Sequence, residues 1–403
     1  MYFKEDAWWA SPYNDLDEIK KISTPIHKVI IHDTTLRDGE QTPGVVFTPE
    51  DKLEIADKLM EAGITRIEAG MPAVSEDDFE AVKKITKKYP DAEVYAFARA
   101  MRKDIDLAKE AGCKGVVIEI PIGYPKLKYQ FNWTWEDVLK KSIDCILYAK
   151  EQGLKADFFP YDTTRSRESD FENLLKGLVN ANAIPDSIGI VDTMGCALPQ
   201  TIQYLVRKSK EILGENVCVE VHCHNDFGMA VANELAGALA GAEVLHGCVN
   251  GLGERTGNAA DEELILNLNI LMGLDTGYKL DKLNVLCSTV ERLSGVKCAL
   301  NKPFVGERNY VRESGIGVDL IVNKPLAMFA TNPSYFGKHA RVVLGKKSGK
   351  ASVTYELNRL NLQATPDQIS EILKKVKERG IEKKGLVSEK EFIEITDKIL
   401  KQH

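Results

Sequence analysis

Residues 187–251, SIGIVDTMGCALPQTIQYLVRKSKEILGENVCVEVHCHNDFGMAVANELAGALAGAEVLHGCVNG, alternate short β-branched runs with longer amphipathic ones. SIGIVD (187–192), VCVEVHC (217–223) and EVLHGCVNG (243–251) are too short for helices and rich in strand formers. LPQTIQYLVRKSKEIL repeats apolar residues every three to four positions, which predicts a helix between two strands. Five similar runs lie upstream: KVIIHD (28–33), ITRIEAG (64–70), EVYAFAR (93–99), GVVIEIP (115–121) and LKADFFP (154–160). Helical stretches separate them, such as PEDKLEIADKLMEAG, which ends at Gly63. Runs without strict apolar–polar alternation suit parallel strands covered on both faces, and eight strand-then-helix units are what a (β/α)8 TIM barrel requires. A doubly wound α/β sheet is the rival, but the glycine-rich GxGxxG turn after its first strand is absent.

The remaining composition narrows the function. At 403 residues, with about 150 residues per domain as a guide, the chain has room for a barrel and an appendage. Hydrophobic residues at 44% and charged residues at 28% describe an ordinary globular protein. A net charge of −7 without a dominant basic block argues against nucleic acid as partner, since phosphate neutralisation needs a basic face. No apolar run is long enough for a membrane span, and Met1–Ala10 lacks the basic and apolar regions of a signal peptide, so a cytoplasmic address is expected. The eight cysteines form no CxxC pair and read as buried thiols of a reduced compartment.

The expected division is an arm over 1–27, a catalytic barrel over 28–275 and a small α-rich C-terminal appendage over 276–403. Thr365 with Gln368 and Ser388 with Glu391 fit capping boxes, which places helix starts near 366 and 389. The aromatic arm, too short to fold alone, is expected to pack on the barrel or on a partner subunit.

Catalytic groups of such barrels sit where strands end and loops begin. In Val221-His222-Cys223-His224-Asn225-Asp226 the two histidines are two residues apart on a strand, so both imidazoles face one side. A solvated or hydrogen-bonded pair is the plain alternative; the position at the rim favours a metal. Two neutral imidazoles need oxygen ligands beside them, which Asp38 after the first strand and Asn258 after the eighth can supply. Arg37 would sit beside the ion and stabilise an alkoxide as it forms, unless it only pairs with Glu68 or Asp33. Thr193 and Arg99 suit a substrate carboxylate, and suit loop capping equally well.

Two segments carry a resemblance. LRDGEQ (36–41) followed by ten residues and Lys52, and Val219-x-x-His222-x-His224-Asn225-Asp226-x-Gly228-x-Ala230, are similar to the paired signatures of the isopropylmalate, homocitrate and citramalate synthases. These belong to the metallolyase group that includes 3-hydroxy-3-methylglutaryl-CoA lyase, and NGLGERTGN (250–258) resembles the synthase form of the eighth loop. The resemblance implies a divalent ion (Mg, Mn or Zn) on Asp38, His222, His224 and Asn258, chelating a 2-oxo acid. Arg37 would polarise its ketone and Thr193 hold its carboxylate. Acetyl-CoA, or a close acyl-CoA, would add through its enolate, and thioester hydrolysis would follow. A homodimer with no nucleic acid or membrane partner is expected, and no regulatory domain beyond the appendage.

Three positions depart from the family pattern. Tyr161 stands where the fifth strand carries a Glu, Gly317 where the appendage carries a His, and Met328 where it carries a Tyr. Neither glycine nor methionine can move a proton, which leaves Tyr161, Glu313 and His339 as catalytic candidates. The FFPYDTTR stretch and an ESGI stretch without that His are most similar to the Re-type citrate synthases, which makes oxaloacetate the preferred 2-oxo acid; Arg99 and Arg165 are candidates for its second carboxylate. A lyase using the same chelate, or a binding protein that has lost turnover, are the other readings.

Overall fold

The computed structural model describes residues 2–26 and 28–401. Eight parallel strands close into a barrel: β1 (Ile30–Asp33), β2 (Arg66–Glu68), β3 (Glu93–Arg99), β4 (Gly115–Pro121), β5 (Lys155–Tyr161), β6 (Ser187–Asp192), β7 (Cys218–Cys223) and β8 (Val244–Gly247). The ring is sealed between β8 and β1, where Val244 pairs with Ile30 and His246 with His32. Each strand is followed by a helix: α1 (Pro49–Ala62), α2 (Glu76–Lys88), α3 (Arg102–Glu110), α4 (Trp135–Glu151), α5 (Glu168–Asn180), α6 (Pro199–Leu213), α7 (Ala230–Leu239) and α8 (Asp261–Leu266). The first helix shows why the boundaries were readable. Thr48 and Asp51 form a capping box, Pro49 occupies the first turn, and Gly63 ends the helix at φ +87°, a left-handed conformation that favours glycine.

The barrel interior is layered. Tyr95, Val117, Phe159 and Val191 make an apolar layer with half-buried Tyr161 against it. Gly189 is required here: a Cβ on it would lie 2.6 Å from the Phe159 ring. The layer nearer the strands' N-terminal ends is polar, which the uninterrupted appearance of the runs did not suggest. Arg66 donates to Asp157 (2.7 Å), to Glu220 and to His32 Nδ1 (3.0 Å), and its guanidinium lies over the Tyr95 ring. His246 Nε2 meets Glu220 at 2.7 Å and its ring stacks on His32. Burial opposes ionisation of Glu220, but Arg66 and His246 hold its carboxyl down at about 2.

The chain divides into two compact units at places other than those expected. The barrel unit runs from Tyr13 to Lys297, because the helix Leu283–Ser294 buries Leu286, Cys287 and Val290 and packs on α1. The second unit joins the chain up to Pro12 with residues from Cys298 onward. Trp9 N donates to Ala330 O, Asn332 N to Ala7 O, and Trp8 sits edge-on to Tyr335, so the first part of the arm belongs to the appendage. Helices Lys350–Arg359, Pro366–Lys383 and Glu389–Leu400 enclose Val353, Leu357, Ile372, Val376 and Phe392; the last two helices start at the expected capping boxes. Among the described residues no helix is long and apolar enough to cross a membrane. Five cysteines are buried as expected, while Cys196 is exposed in the loop after β6.

Replacing Arg66 with Met leaves Glu220 and Asp157 buried without their cation, and removing one partner of such a pair costs about 3–5 kcal/mol. Denaturant titration of Arg66→Met is expected to show a loss of that size. A shift indistinguishable from zero would mean that the polar layer is not held by this guanidinium.

Candidate active site

The segment after β1 folds back over the barrel mouth. The Thr34 carbonyl accepts from the amides of Arg37, Asp38 and Gly39, and Thr34 N is tied to Gly247 O at 2.8 Å. Leu36 anchors the turn in the core, fully buried. Glu40 accepts from Phe47 N and pairs at 2.7 Å with Lys52, a buried lysine that also binds Asp78. The Lys that follows LRDGEQ at a fixed distance thus clamps the turn to α1 and α2.

That turn brings Asp38 to the end of β7. Asp38 Oδ2 lies 3.0 Å from His222 Nε2 and 3.8 Å from His224 Nε2. One ligand atom from each of the three falls within 4.8 Å of the others. His224 also bridges by backbone to Asn258, in the loop after β8. The side-chain amide of Asn258 donates to Leu252 O (3.0 Å) and lies 3.3 Å from Cys248 Sγ, which fixes its orientation and leaves Oδ1 free. Gly257 permits this loop to fold on itself: its φ is +83°, and a Cβ there would lie 1.9 Å from Gly251 O.

These residues fit a divalent cation. Asn258 Oδ1 is a buried atom without a hydrogen-bond partner, and such an atom calls for a ligand; Asp38 Oδ2 is buried with the two imidazoles as its nearest ring neighbours. Burial lowers the pKa of both histidines, that of His224 to about 4, so their ring nitrogens are neutral and able to coordinate. Burial would raise the Asp38 pKa, but Arg37 foremost, with the two imidazoles, keeps it well below the carboxylate range. Two imidazoles with two hard oxygens suit a first-row divalent ion or magnesium.

Arg37 pairs with Glu68, one of the partners the sequence offered, and still stands beside Asp38. Its Nε and Nη2 donate to the two oxygens of Glu68 at 2.8 and 3.0 Å, while Nη1 faces Asp38 Oδ2 at 3.7 Å. The guanidinium stacks on Phe97. Glu68, named by the sequence only as an ion-pair alternative, is therefore the group that orients Arg37. Thr193 Oγ1 accepts from the Asp162 amide at 2.7 Å, which leaves the hydroxyl proton available to donate.

The other expected residues are engaged elsewhere. Arg99 is more than half exposed and bound bidentately to Asp104; it lines a groove of about 290 Å³ between α2 and α3. Arg165 is bound bidentately to Asp162. Tyr161 is half-buried, and burial first, then Glu119, pushes its phenol further from ionisation, which disfavours it as a base. In the second unit Glu313 accepts from Lys347 N, and His339 is exposed in a loop. Gly317 and Met328 touch in that unit. A Cβ on Gly317, at φ +77°, would lie 2.9 Å from the Met328 thioether, so these two departures form one contact.

The HMGL-like family profile matches residues 28–290, and a homocitrate synthase post-HMGL domain-like profile matches 304–384. The chain belongs to the HMGL-like family. It is 42% identical to homocitrate synthase AksA of Methanocaldococcus jannaschii over 99% of this chain and 96% of that protein. A probable 2-isopropylmalate synthase of Ignicoccus hospitalis is 41% identical over 93% of each. The (R)-citramalate synthase CimA of M. jannaschii is 40% identical over 87% of this chain and 71% of that one. Hydroxymethylglutaryl-CoA lyase of Pseudomonas aeruginosa shares the fold, with a TM-score of 0.59, 22% identity, and coverage of 68% of this chain and 95% of that one. This HMGL-like chain is thus an enzyme, an acyltransferase of the synthase type.

Removing a ligand is expected to reduce metal affinity by more than the roughly 10–100-fold seen on losing an outer supporting residue. Elemental analysis of Asp38→Ala and His222→Ala, each checked for intact circular dichroism, measures this. Full metal content in both variants would rule out the assigned ligands.

Proposed function

We propose that the enzyme condenses acetyl-CoA with a 2-oxo acid and hydrolyses the resulting thioester, with oxaloacetate as the preferred 2-oxo acid. The observation that carries this reading is the meeting of the buried Asp38 carboxylate and the unpartnered Asn258 Oδ1 with two neutral imidazoles, beside a guanidinium held in place by Glu68. Asp38, His222, His224 and Asn258 would hold a divalent ion, which when bound supplies a Lewis acid for the ketone and carboxylate oxygens of the 2-oxo acid.

The chain's own groups account for the rest. Arg37 Nη1, the edge not used by Glu68, donates toward the ketone oxygen and gains strength as that oxygen becomes an alkoxide. The Thr193 hydroxyl donates to the substrate carboxylate. Phe97, Phe159 and Val191, all buried, keep water from the reacting carbons until the C–C bond has formed. Two copies per enzyme are part of the proposal, by resemblance to the synthases. Oxaloacetate rests on the FFPYDTTR and ESGI stretches alone.

Thiol release from acetyl-CoA measured across oxaloacetate, 2-oxoglutarate, pyruvate and 2-oxoisovalerate tests the reading. Release with one of them, oxaloacetate first, is expected. Cleavage of a hydroxyacyl-CoA with no release from any 2-oxo acid would make the enzyme a lyase; ligand-induced thermal shifts without product would make it a binding protein. Arg37→Lys is expected to retain the metal and lose about 10²–10³-fold in kcat, because an ammonium cannot keep the fork on Glu68 and still donate from a fixed Nη1. An unchanged kcat would remove Arg37 from the reaction.

A further inference from the structure

Glu119 is a carboxyl at the mouth end of β4. It lies two residues beyond Val117, which belongs to the interior apolar layer, and side chains two apart on a strand share a face, so Glu119 projects inward one level nearer the mouth. Among the described residues its carboxylate forms no hydrogen bond and no ion pair. Its electrostatic neighbours come from around the ring: Arg37 and Asp38 after β1, Glu68 on β2 and Glu254 after β8, while Glu119 itself acts on Tyr161 of β5. Arg99, its register partner on β3, is occupied by Asp104. The strand face and register thus put this carboxyl on the inner side of the mouth, within electrostatic reach of the Arg37 guanidinium and of Asp38.

Its position answers the three departures. The fifth strand lacks the Glu of the synthases and carries Tyr161, while the appendage offers Gly317 and Met328. The register sets Pro121 against Tyr161 and Glu119 against Phe159, so β4 carries a carboxyl beside the place where β5 lacks one. An apolar layer of Val117, Phe159 and Val191 lies beneath it. Burial first, together with Glu68 and Glu254, works against Arg37 and raises the Glu119 pKa above the ordinary carboxylate range. A carboxylate so raised is a stronger proton acceptor than an ordinary one.

Resting on the condensation reading above, we propose that Glu119 is the catalytic base that removes the α-proton of the acyl-CoA. The methyl C–H bond breaks, its proton passes to a Glu119 oxygen, and its electron pair moves onto the thioester carbonyl oxygen as an enolate. The enolate carbon then bonds to the ketone carbon, the C=O π pair becomes an alkoxide beside Arg37, and the proton held by Glu119 passes to that alkoxide. Glu119 ends the addition ionised, as it began. Hydrolysis of the thioester consumes one water and releases the CoA thiol.

Glu119→Gln keeps the shape and removes the base. Its carboxyl has no partner to leave behind and faces three other carboxylates, so the variant is expected to melt at or above the wild-type temperature. The wild-type enzyme is first assayed for thiol release and then for exchange of acetyl-CoA methyl protons with deuterium oxide in the presence of the 2-oxo acid's unreactive 2-hydroxy analogue. In Glu119→Gln, loss of kcat by about 10²–10⁴-fold, with metal content and 2-oxo acid affinity unchanged within a few-fold and methyl exchange abolished, supports the proposal. Glu119→Asp recovering part of the exchange supports it further, as does loss of the acidic limb of the kcat/KM profile in Glu119→Gln. Condensation by Glu119→Gln within a few-fold of wild type overturns it, as does a fall in 2-oxo acid affinity that accounts for the whole loss of rate. If the wild type condenses nothing, the reading beneath fails as well, a result distinct from both.

Discussion

A buried carboxylate at the mouth of the barrel must be kept ionised, and the surrounding structure serves that requirement. Asp38 is 1% exposed, where an unpaired charge would be strongly penalised. Arg37 offsets the penalty from one side and the imidazoles of His222 and His224 stand on the other. Arg37 is in turn held by Glu68, and the turn carrying both Arg37 and Asp38 is held by Glu40 on Lys52. Positive and negative charges alternate outward from the ligand set, so that no single pair has to carry the burial cost alone.

The same logic runs deeper into the barrel. Glu220 lies two residues before His222 on the same face of β7, and beneath the site it joins Arg66, His246, His32 and Asp157 in one buried network. The His222 and His246 rings meet edge to face at 5.4 Å. A barrel interior is ordinarily filled with branched apolar side chains. Here a polar layer and an apolar layer alternate along the axis, and the apolar one, with Phe159 and Val191, forms the floor under the reacting groups.

The barrel was legible because parallel strands covered by helices are short, apolar and regularly spaced, and because caps such as Thr48–Asp51 and Ser388–Glu391 write helix starts into local sequence. The meeting of His222 with His224 was legible because side chains two apart on a strand face one side, and the turn after β1 brings Asp38 to them. What escaped depends on partners far away in sequence. Arg99 and Arg165 had the right charge, but Asp104 and Asp162 claim them. The boundary after the barrel moved from 275 to 297 because an additional helix packs back on α1, which no local signal announces. The polar interior was present as His32, Arg66, Glu119, Asp157, Glu220 and His246 within apolar runs, yet a single polar residue in a strand does not reveal which way it faces until the register is known. Gly317 and Met328 read as two separate losses, and their contact makes them one.

The proposed chemistry needs one cation between the turn after β1, the end of β7 and the loop after β8. Anomalous diffraction at the absorption edge of the metal that copurifies with the enzyme locates it directly. The expected result is a peak enclosed by Asp38 Oδ2, His222 Nε2, His224 Nε2 and Asn258 Oδ1. A metal-loaded crystal with no peak there, or with its peak among His32, Glu220 and His246, would contradict it.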